Sequence, residues 1–273
     1  MSLAATSVSR DESIGMSDVQ ILSDTRDRVL YVTIDRVEKH NALALSIIDA
    51  IGEIFRAAAK DETLVAAVLR GAGEKTFAAG GDLRELATLR TADEAETMAR
   101  DAKTAFNAIR DFPVPVIAGL NGNAFGGGAE LAVSCDFRVA AAHARIGFVQ
   151  GRLALATAWG GGPDLLDLVG RARGLRLMST GEMLDPETAL QIGLYDAVGA
   201  EDEDFDDTIE AFLAPIRKQK PQSMRAFKAV SDAHRRGDSR AEMQEIETGM
   251  FVQTWVHDDH WEAAEKVLPA KKD

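Results

Sequence analysis

Two glycine-rich turns constrain the fold of this chain more than any other feature of its sequence. The first spans residues 77–83 (FAAGGDL) and the second spans residues 121–131 (NGNAFGGGAEL). Each follows an apolar stretch and leads into a helix-like stretch. This order presents backbone N–H groups without intrahelical partners at a helix start, where an anion is favoured. Two such donors that converge on one oxygen form an oxyanion hole. The turns therefore predict a site for a negatively charged oxygen, such as that of a thioester enolate.

Strand-like and helix-like stretches alternate through the first half of the chain. Residues 28–35, 66–70 and 114–118 are apolar or β-branched and predict strands. Residues 41–60 and 92–111 carry apolar side chains at helical spacing. This alternation predicts an α/β fold with parallel strand pairing. The strands are not regularly spaced by one helix each, so the pattern does not favour a barrel.

From Pro163 onward the pattern becomes almost entirely helical. The acidic stretch 201–204 predicts a boundary between a core at residues 18–200 and a C-terminal helical subdomain at residues 201–273. Residues 1–17 are small and polar and are expected to form a disordered leader. The helical subdomain carries several large apolar residues, for which burial in the core is the first interpretation and a subunit interface is the second: Met224, Phe227, Met243, Phe251 and Trp255.

Composition argues against several kinds of function. The 273-residue chain has 44 acidic and 31 basic residues, and its net charge of −13 argues against a nucleic-acid partner. No apolar run is long enough to cross a bilayer, so no membrane partner is expected. The five histidines lack metal-ligand spacing, and His257 and His260 are interpreted as a solvated helix entry. The single Cys135, without an evident cleavable signal, predicts a buried structural thiol in a cytoplasmic protein.

Several motifs in a fixed order resemble the crotonase superfamily, also called the enoyl-CoA hydratase/isomerase family. The resemblance covers roughly residues 20–268. Its landmarks are residues 41–43 (NAL), 77–83 (FAAGGDL), 113–119 (PVPVIAG), 121–131 (NGNAFGGGAEL) and 135–138 (CDFR), followed by Gly181, Ala189, Gly193 and Leu194. One glycine cluster is a weak signal, whereas several clusters in order at the right spacing are a specific one.

The resemblance implies a spiral β/α core with a C-terminal helical region used in trimerisation, in a homotrimer or a dimer of trimers. It implies an acyl-CoA thioester as substrate, in which coenzyme A is the carrier part, with no separate cofactor and no metal. The backbone N–H groups of Gly81 and Gly127 would form the oxyanion hole. The other residues that it assigns to binding are Lys39, Ala79, Gly80, Asp82, Leu83, Gly126 and Trp159. For Trp159, packing in the core is an alternative to covering the acyl chain.

Two side chains decide which reaction such a site would serve. Glu130 matches the first of two glutamates that hydratases of this family use to position and activate water. Gln150 stands where the family has the second catalytic glutamate. Because an amide cannot donate a proton as a carboxylic acid does, the usual two-carboxylate hydration lacks one member. The resemblance implies an enoyl-CoA hydratase-like lyase. A glutamine at position 150 can orient water or a carbonyl group by hydrogen bonds, and the alternative is that Gln150 is only a polar residue of the pocket.

Two alternatives stay open at the level of sequence. Residues 130–137 (ELAVSCDF), 148–149 (FV) and 158–161 (AWGG) resemble the ethylmalonyl-CoA decarboxylase-like branch of the family. An alkylmalonyl-CoA decarboxylase needs no base for the loss of CO2, so Gln150 would harm that reaction less. Some family members instead bind RNA or act as non-catalytic scaffolds. The acidic charge argues against RNA, and the retention of Glu130 argues against a site without catalysis.

Overall fold

The computed structural model describes residues 20–268, so the expected leader at residues 1–17 lies outside the described residues. The strands in this range are β1 (Ile21–Arg26), β2 (Val29–Ile34), β3 (Ala66–Gly71), β4 (Thr76–Ala78), β5 (Val116–Leu120), β6 (Asn123–Phe125), β7 (Phe137–Ala140), β8 (Ile146–Gly147), β9 (Met183–Leu184) and β10 (Ala197–Val198). The α-helices are α1 (Leu45–Ala58), α2 (Leu83–Leu86), α3 (Ala92–Arg110), α4 (Gly127–Val133), α5 (Gly161–Val169), α6 (Arg171–Thr180), α7 (Pro186–Gln191), α8 (Phe205–Arg217), α9 (Pro221–Arg236), α10 (Arg240–Trp255) and α11 (Asp258–Glu265). Two short 3-10 helices cover Val37–Lys39 and Gln150–Leu153.

The strands form two sheets. The larger sheet has the order β1-β2-β3-β5-β7-β10, and all of its neighbours are parallel except the antiparallel pair β1 and β2. The smaller sheet has the order β4-β6-β8-β9, in which β4, β6 and β8 run parallel. The predicted α/β class with parallel pairing is confirmed.

The edge strand β1 was not predicted from the sequence. Its side chains are exposed apart from the half-buried Ile21, and its middle reads Ser23-Asp24-Thr25. A strand of this kind lacks the buried apolar run that identifies β2 and β3. Its existence depends on the backbone ladder to β2, from Ile21 opposite Ile34 to Arg26 opposite Val29. Local apolar periodicity cannot detect such a ladder.

Helices α1 and α3 pack against each other and contribute much of the core. Thr91 and Glu94 form a capping box at the start of α3, where each side chain accepts a backbone N–H group of the other residue. Phe55 of α1 meets Phe112, which follows α3, edge to face with ring centroids 5.1 Å apart. The chain must leave the helix there, because Pro113 disfavours helical geometry at the residue before it.

The C-terminal helices are only partly buried against the rest of the chain. Helix α9 is attached to the core by Lys228, whose buried ammonium group lies 2.5 Å from the Asp136 carboxylate. Met224 is buried as expected, and Met243 is half-buried. Burial in the core is wrong for Phe227, Phe251 and Trp255, which are 66%, 55% and 46% exposed. Helix α10, which carries Phe251 and Trp255, has no residue that is buried by the described part of the chain, residues 20–268.

Four further observations concern the described residues. No helix within residues 20–268 is long and apolar enough to cross a membrane. The same residues contain no group of three or more histidine, cysteine or carboxylate side chains placed to hold a metal ion. His257 begins α11 as its N-cap residue, as expected for a helix entry. Cys135 is fully buried, and burial raises the pKa of its thiol to about 12, which agrees with a structural role.

Candidate active site

A cavity of about 530 Å³ opens where the two glycine-rich turns meet. All of the side chains and glycines that the sequence assigned to a site line this cavity: Lys39, Ala79, Gly80, Gly81, Asp82, Leu83, Gly126, Gly127, Glu130, Gln150 and Trp159. The sequence did not identify the remaining wall residues, among them Leu86, Met98, Val149, Leu153 and Leu155. The structure therefore brings the predicted residues together, and their individual roles stay predictions.

Parallel pairing of β4 and β6 places the two turns side by side. A methyl group built on Gly80 would lie 3.5 Å from the amide nitrogen of Gly127. Gly126 is the N-cap residue before α4, with φ 54° and ψ −118°, a conformation that residues with a side chain rarely adopt and glycine tolerates. The resulting helix start points its first N–H groups toward the neighbouring turn.

The amide groups of Gly81 and Gly127 have no hydrogen-bond acceptor among residues 20–268. The turn around Gly81 is fixed on both sides, since Leu43 donates its N–H to the Gly80 carbonyl at 2.7 Å and Asp82 donates to the Leu43 carbonyl at 2.9 Å. Gly127 is the first residue of α4, where the helix itself supplies no acceptor. Two fixed donors beside one cavity are the elements of an oxyanion hole.

Glu130 lies one turn into α4 and is only 2% exposed. Its carboxylate accepts four N–H groups. Oε1 accepts from Gln150 Nε2 at 2.9 Å and from the Ala158 amide at 3.3 Å. Oε2 accepts from the amides of Trp159 at 2.9 Å and Gly161 at 3.0 Å. Burial raises the pKa of Glu130 above its usual range, and the four donors oppose that rise without cancelling it.

Gln150 begins the short 3-10 helix Gln150–Leu153 and reaches Glu130 across the cavity. Its Nε2 group donates to Glu130, and its Oε1 atom is buried without a hydrogen-bond partner in the described residues. The opposite amide orientation would place two oxygen atoms against each other. The unpartnered Oε1 therefore leaves one hydrogen-bond acceptor of Gln150 unused among the described residues.

The Trp159 ring packs against the backbone of both glycine turns. A methyl group on Gly127 would lie 2.1 Å from Trp159 Cζ3, and one on Gly81 would lie 3.1 Å from Cη2. The indole Nε1–H points to Met98 Sδ at 3.2 Å, and Phe106 meets the ring edge to face at 5.8 Å. The ring is buried in the core, as the packing interpretation predicts, and it also lines the cavity. Covering of an acyl chain by Trp159 stays a prediction.

A buried ion pair holds the segment that binds the Glu130 carboxylate. Arg110 at the end of α3 contacts Asp164 of α5 at 2.7 Å and donates to the Trp159 carbonyl at 3.3 Å. This fixes the start of α5, where the Trp159 and Gly161 amides face Glu130. Nothing local in the sequence could have identified Arg110, because Asp164 lies 54 residues away.

The cavity mouth carries the residues assigned to coenzyme A. Lys39 ends the short 3-10 helix Val37–Lys39, and Leu83 is 59% exposed. The Asp82 carboxylate accepts the first N–H groups of α2 and contacts Arg36 at 2.7 Å, and Arg36 holds the pKa of that carboxyl below its usual range. The backbone of Asp82 is also paired within the chain, since its N–H donates to the Leu43 carbonyl and its carbonyl accepts from the Leu86 N–H.

Known proteins resemble this chain in sequence and in structure. Residues 24–268 match the enoyl-CoA hydratase/isomerase family. The short-chain-enoyl-CoA hydratase of Clostridium acetobutylicum is 33% identical over 178 residues, which cover 65% of this chain and 68% of that protein. The crotonyl-CoA hydratase of Syntrophomonas wolfei is 28% identical over 257 residues, which cover 94% and 98%. The solved structure of an enoyl-CoA hydratase from Mycobacterium smegmatis has a TM-score of 0.84 at 27% identity and covers 90% of this chain and 95% of its own.

These similarities confirm the crotonase-type fold that the sequence motifs implied, over the core and the C-terminal helices alike. The relatives named above are hydratases, so they give no support to the decarboxylase-like branch. The family match spans nearly all of the described residues. The chain belongs to the enoyl-CoA hydratase/isomerase family and is an enzyme that acts on an acyl-CoA thioester.

Proposed function

We propose that this enzyme adds water to the double bond of a 2-enoyl-CoA thioester, as an enoyl-CoA hydratase-like lyase. The observation that carries the proposal is the Glu130 carboxylate, held by four N–H groups in the same cavity as the free amides of Gly81 and Gly127. A fixed base beside two oxyanion donors fits a reaction that passes through an enolate. The naming of several relatives as hydratases supports the same reaction.

The two glycine amides would bind the thioester oxygen. Conjugation carries electrons from the double bond to that oxygen when a nucleophile attacks the β-carbon. The amides of Gly81 and Gly127 then face a growing negative charge, and their hydrogen bonds strengthen as the transition state forms. Since both are fixed by the backbone, the protein needs no reorganisation at that moment.

Glu130 would handle the proton of the added water. Its carboxylate takes a proton as the water oxygen bonds to the β-carbon, and the electron pair of the double bond moves into the enolate. The protonated Glu130 then returns that proton to the α-carbon, and the enolate collapses to the thioester. One water is consumed in total, and a single carboxylate is first base and then acid.

Gln150 would orient the water rather than exchange a proton with it. Its buried Oε1 atom has no partner among the described residues and can accept one O–H group of the water. The other O–H group then points to Glu130, which Gln150 itself fixes through Nε2. This arrangement accounts for an amide at a position where a second carboxylic acid is usual in the family.

Coenzyme A would enter from the mouth of the same cavity. Lys39 and Arg84 supply cationic groups there, and residues 79–83 offer backbone groups beside them. Electrostatic attraction to phosphate groups needs only such local cations on an acidic protein. No separate cofactor takes part in the proposed reaction, because water and the thioester supply all the atoms that are exchanged.

The proposed reaction is tested by offering crotonyl-CoA and ethylmalonyl-CoA separately and following the products by mass spectrometry. We expect crotonyl-CoA to gain the mass of one water. Loss of CO2 from ethylmalonyl-CoA without hydration of crotonyl-CoA would replace the proposal by decarboxylation. Turnover of neither compound would contradict both reactions for these short acyl groups.

The variant Gln150→Glu tests whether a missing acid limits the rate. The new carboxyl group would stand where Nε2 now lies, 2.9 Å from Glu130 Oε1, and two carboxylates so close share one proton. The shared proton supplies a general acid, so we expect hydration of crotonyl-CoA to rise by about tenfold. Steady-state kinetics measure the change, and Gln191→Glu on α7 is the matched control at an exposed position. A fall in turnover would show that the amide itself is needed.

The same proposal includes a homotrimer, formed through the uncovered aromatic face of α10 and α11. Trp255 lies at the centre of this face, with Phe251 and Trp261 rings 5.3 and 5.6 Å away. Because a charge is costly in an apolar interface, we expect Trp255→Glu to dissociate the assembly, as measured by light scattering. Leu175→Glu on α6, which is similarly exposed at 54%, should leave the mass unchanged. A wild-type chain that runs as a monomer would contradict the trimer.

A further inference from the structure

A tryptophan and a methionine form the part of the cavity wall that lies beside the oxyanion donors. A thioester whose oxygen binds Gly81 and Gly127 must direct its acyl chain past Trp159, since that ring packs on the backbone of both glycines. Trp159 is 5% exposed and Met98 is half-buried, and both line the cavity. Leu86 completes this wall. The reacting end of the cavity is thus bounded by apolar side chains close to the oxyanion donors.

The position of this wall is fixed by its contacts. The indole N–H of Trp159 points to Met98 Sδ at 3.2 Å, so the two side chains hold each other. Phe106 packs edge to face on the other part of the ring, with an interplanar angle of 83°. The Trp159 backbone is tied to Glu130 by its N–H group and to Arg110 by its carbonyl. A ring held from its backbone and its edges does not move aside readily.

A second cleft also has Met98 in its lining. It measures about 780 Å³ and runs between α1 and α3. Ile48, Ala102 and Ala105 give it an apolar floor, and carboxylates such as Asp49 and Asp101 form its rim. Of the residues that the structure describes, Met98 is the one that lines both spaces. Met98 is therefore the side chain that the two spaces have in common.

We propose that Met98 and Trp159 set the upper limit on acyl-chain length, by separating the substrate cavity from the cleft between α1 and α3. Short acyl groups end at the wall. Longer straight chains would need the second cleft, which has an apolar floor and a volume of about 780 Å³. This inference rests on the proposed acyl-CoA site and names the class of substrate, short-chain acyl thioesters, that the site selects.

The test uses binding, so that it does not depend on the reaction. Calorimetry would give the dissociation constants of the saturated thioesters butanoyl-CoA and dodecanoyl-CoA for the wild type, Met98→Ala and the control Met183→Ala. Met183 is a half-buried methionine in β9 that does not line the cavity. We expect the wild type and Met183→Ala to bind dodecanoyl-CoA more weakly than butanoyl-CoA. In Met98→Ala the affinity for dodecanoyl-CoA relative to that for butanoyl-CoA should rise by about tenfold or more, because the added methylene groups then find an apolar pocket.

Two results would overturn the inference. One is an unchanged ratio in Met98→Ala, and the other is a wild type that already prefers dodecanoyl-CoA. If Met98→Ala does not fold, Trp159→Phe removes the indole N–H and the outer ring and must shift the ratio in the same direction. A shifted ratio without hydration of crotonyl-CoA would uphold the wall and reject the proposed reaction. Hydration of crotonyl-CoA with an unchanged ratio would support the proposed reaction and reject the wall.

Discussion

Replacing Glu130 with glutamine is expected to lower the turnover of crotonyl-CoA by about 10²–10⁴-fold, the usual contribution of a general acid-base residue. The amide keeps the shape of the carboxylate but cannot carry the proton from water to the α-carbon. Affinity for coenzyme A should change little, because Glu130 lies beside the free amides at the reacting end and Lys39 and Leu83 lie at the mouth.

The surroundings can accept this substitution without a large rearrangement. The new amide oxygen can take the place of Oε2 and receive the Trp159 and Gly161 amides. Its NH2 group would then face Gln150, whose own amide can turn to present Oε1, and the Ala158 N–H would lose its acceptor, which at 3.3 Å is the longest of the four hydrogen bonds. Steady-state kinetics and thermal unfolding together separate a catalytic loss from a folding defect, with the exposed Glu62→Gln as control. Turnover at the wild-type level would remove Glu130 from the mechanism.

The pH dependence of the wild type should report the same group. Burial raises the pKa of Glu130, and the base must be ionised to act. Hence kcat/KM should fall as the pH drops through a value above about 4.3, the ordinary pKa of glutamic acid.

A raised pKa also means that ionisation of Glu130 opposes folding. The stability that the protonated Glu130 contributes to the fold is complete below the unfolded-state pKa of this group and is lost as the pH rises through its folded-state pKa. We therefore expect Glu130→Gln to lack the acid limb and to unfold no more easily at neutral pH.

Much of the fold could be predicted because its cues are local. The apolar runs of β2, β3 and β5 and the helical spacing of α1 and α3 lie within short stretches of sequence, and the observed elements agree with them to within a few residues at each end. The exposed edge strand β1 has no such cue. The face of Phe251 and Trp255 was misjudged for a related reason, since apolarity predicts burial without saying which chain provides the cover.

The candidate site shows the same division between local and distant information. The glycine turns and Glu130 lie in continuous motifs, so the sequence could place them together. The four N–H donors of Glu130 come from residues 20 to 31 positions away, and Arg110 acts through a partner 54 positions away. These contacts depend on how α4 and α5 pack. Single-sequence patterns do not specify such packing.

Replacing Gly127 with alanine is expected to lower turnover by about 10²–10³-fold, the loss that follows removal of one oxyanion donor. The backbone itself permits the change, because Gly127 does not have a positive φ. The obstacle is Trp159, since the new methyl group would lie 2.1 Å from Cζ3 and 2.8 Å from two further ring atoms. Either α4 or the ring must move. The first misplaces the Gly127 N–H group, and the second disturbs the Trp159 amide that holds Glu130.

The matched variant Gly81→Ala separates this steric effect from the mere loss of a glycine. Its methyl group would meet Leu86 Cδ1 at 2.5 Å, and that atom ends a flexible side chain that can rotate away. Its contact with Trp159 is longer, at 3.1 Å, so we expect a much smaller loss than in Gly127→Ala. In Gly127→Ala with Trp159→Phe, the smaller ring makes room for the methyl group, so part of the turnover should return. Single-turnover kinetics on crotonyl-CoA measure all three. Equal losses at the two glycines, or full activity in Gly127→Ala alone, would show that Trp159 does not fix the geometry of the oxyanion hole.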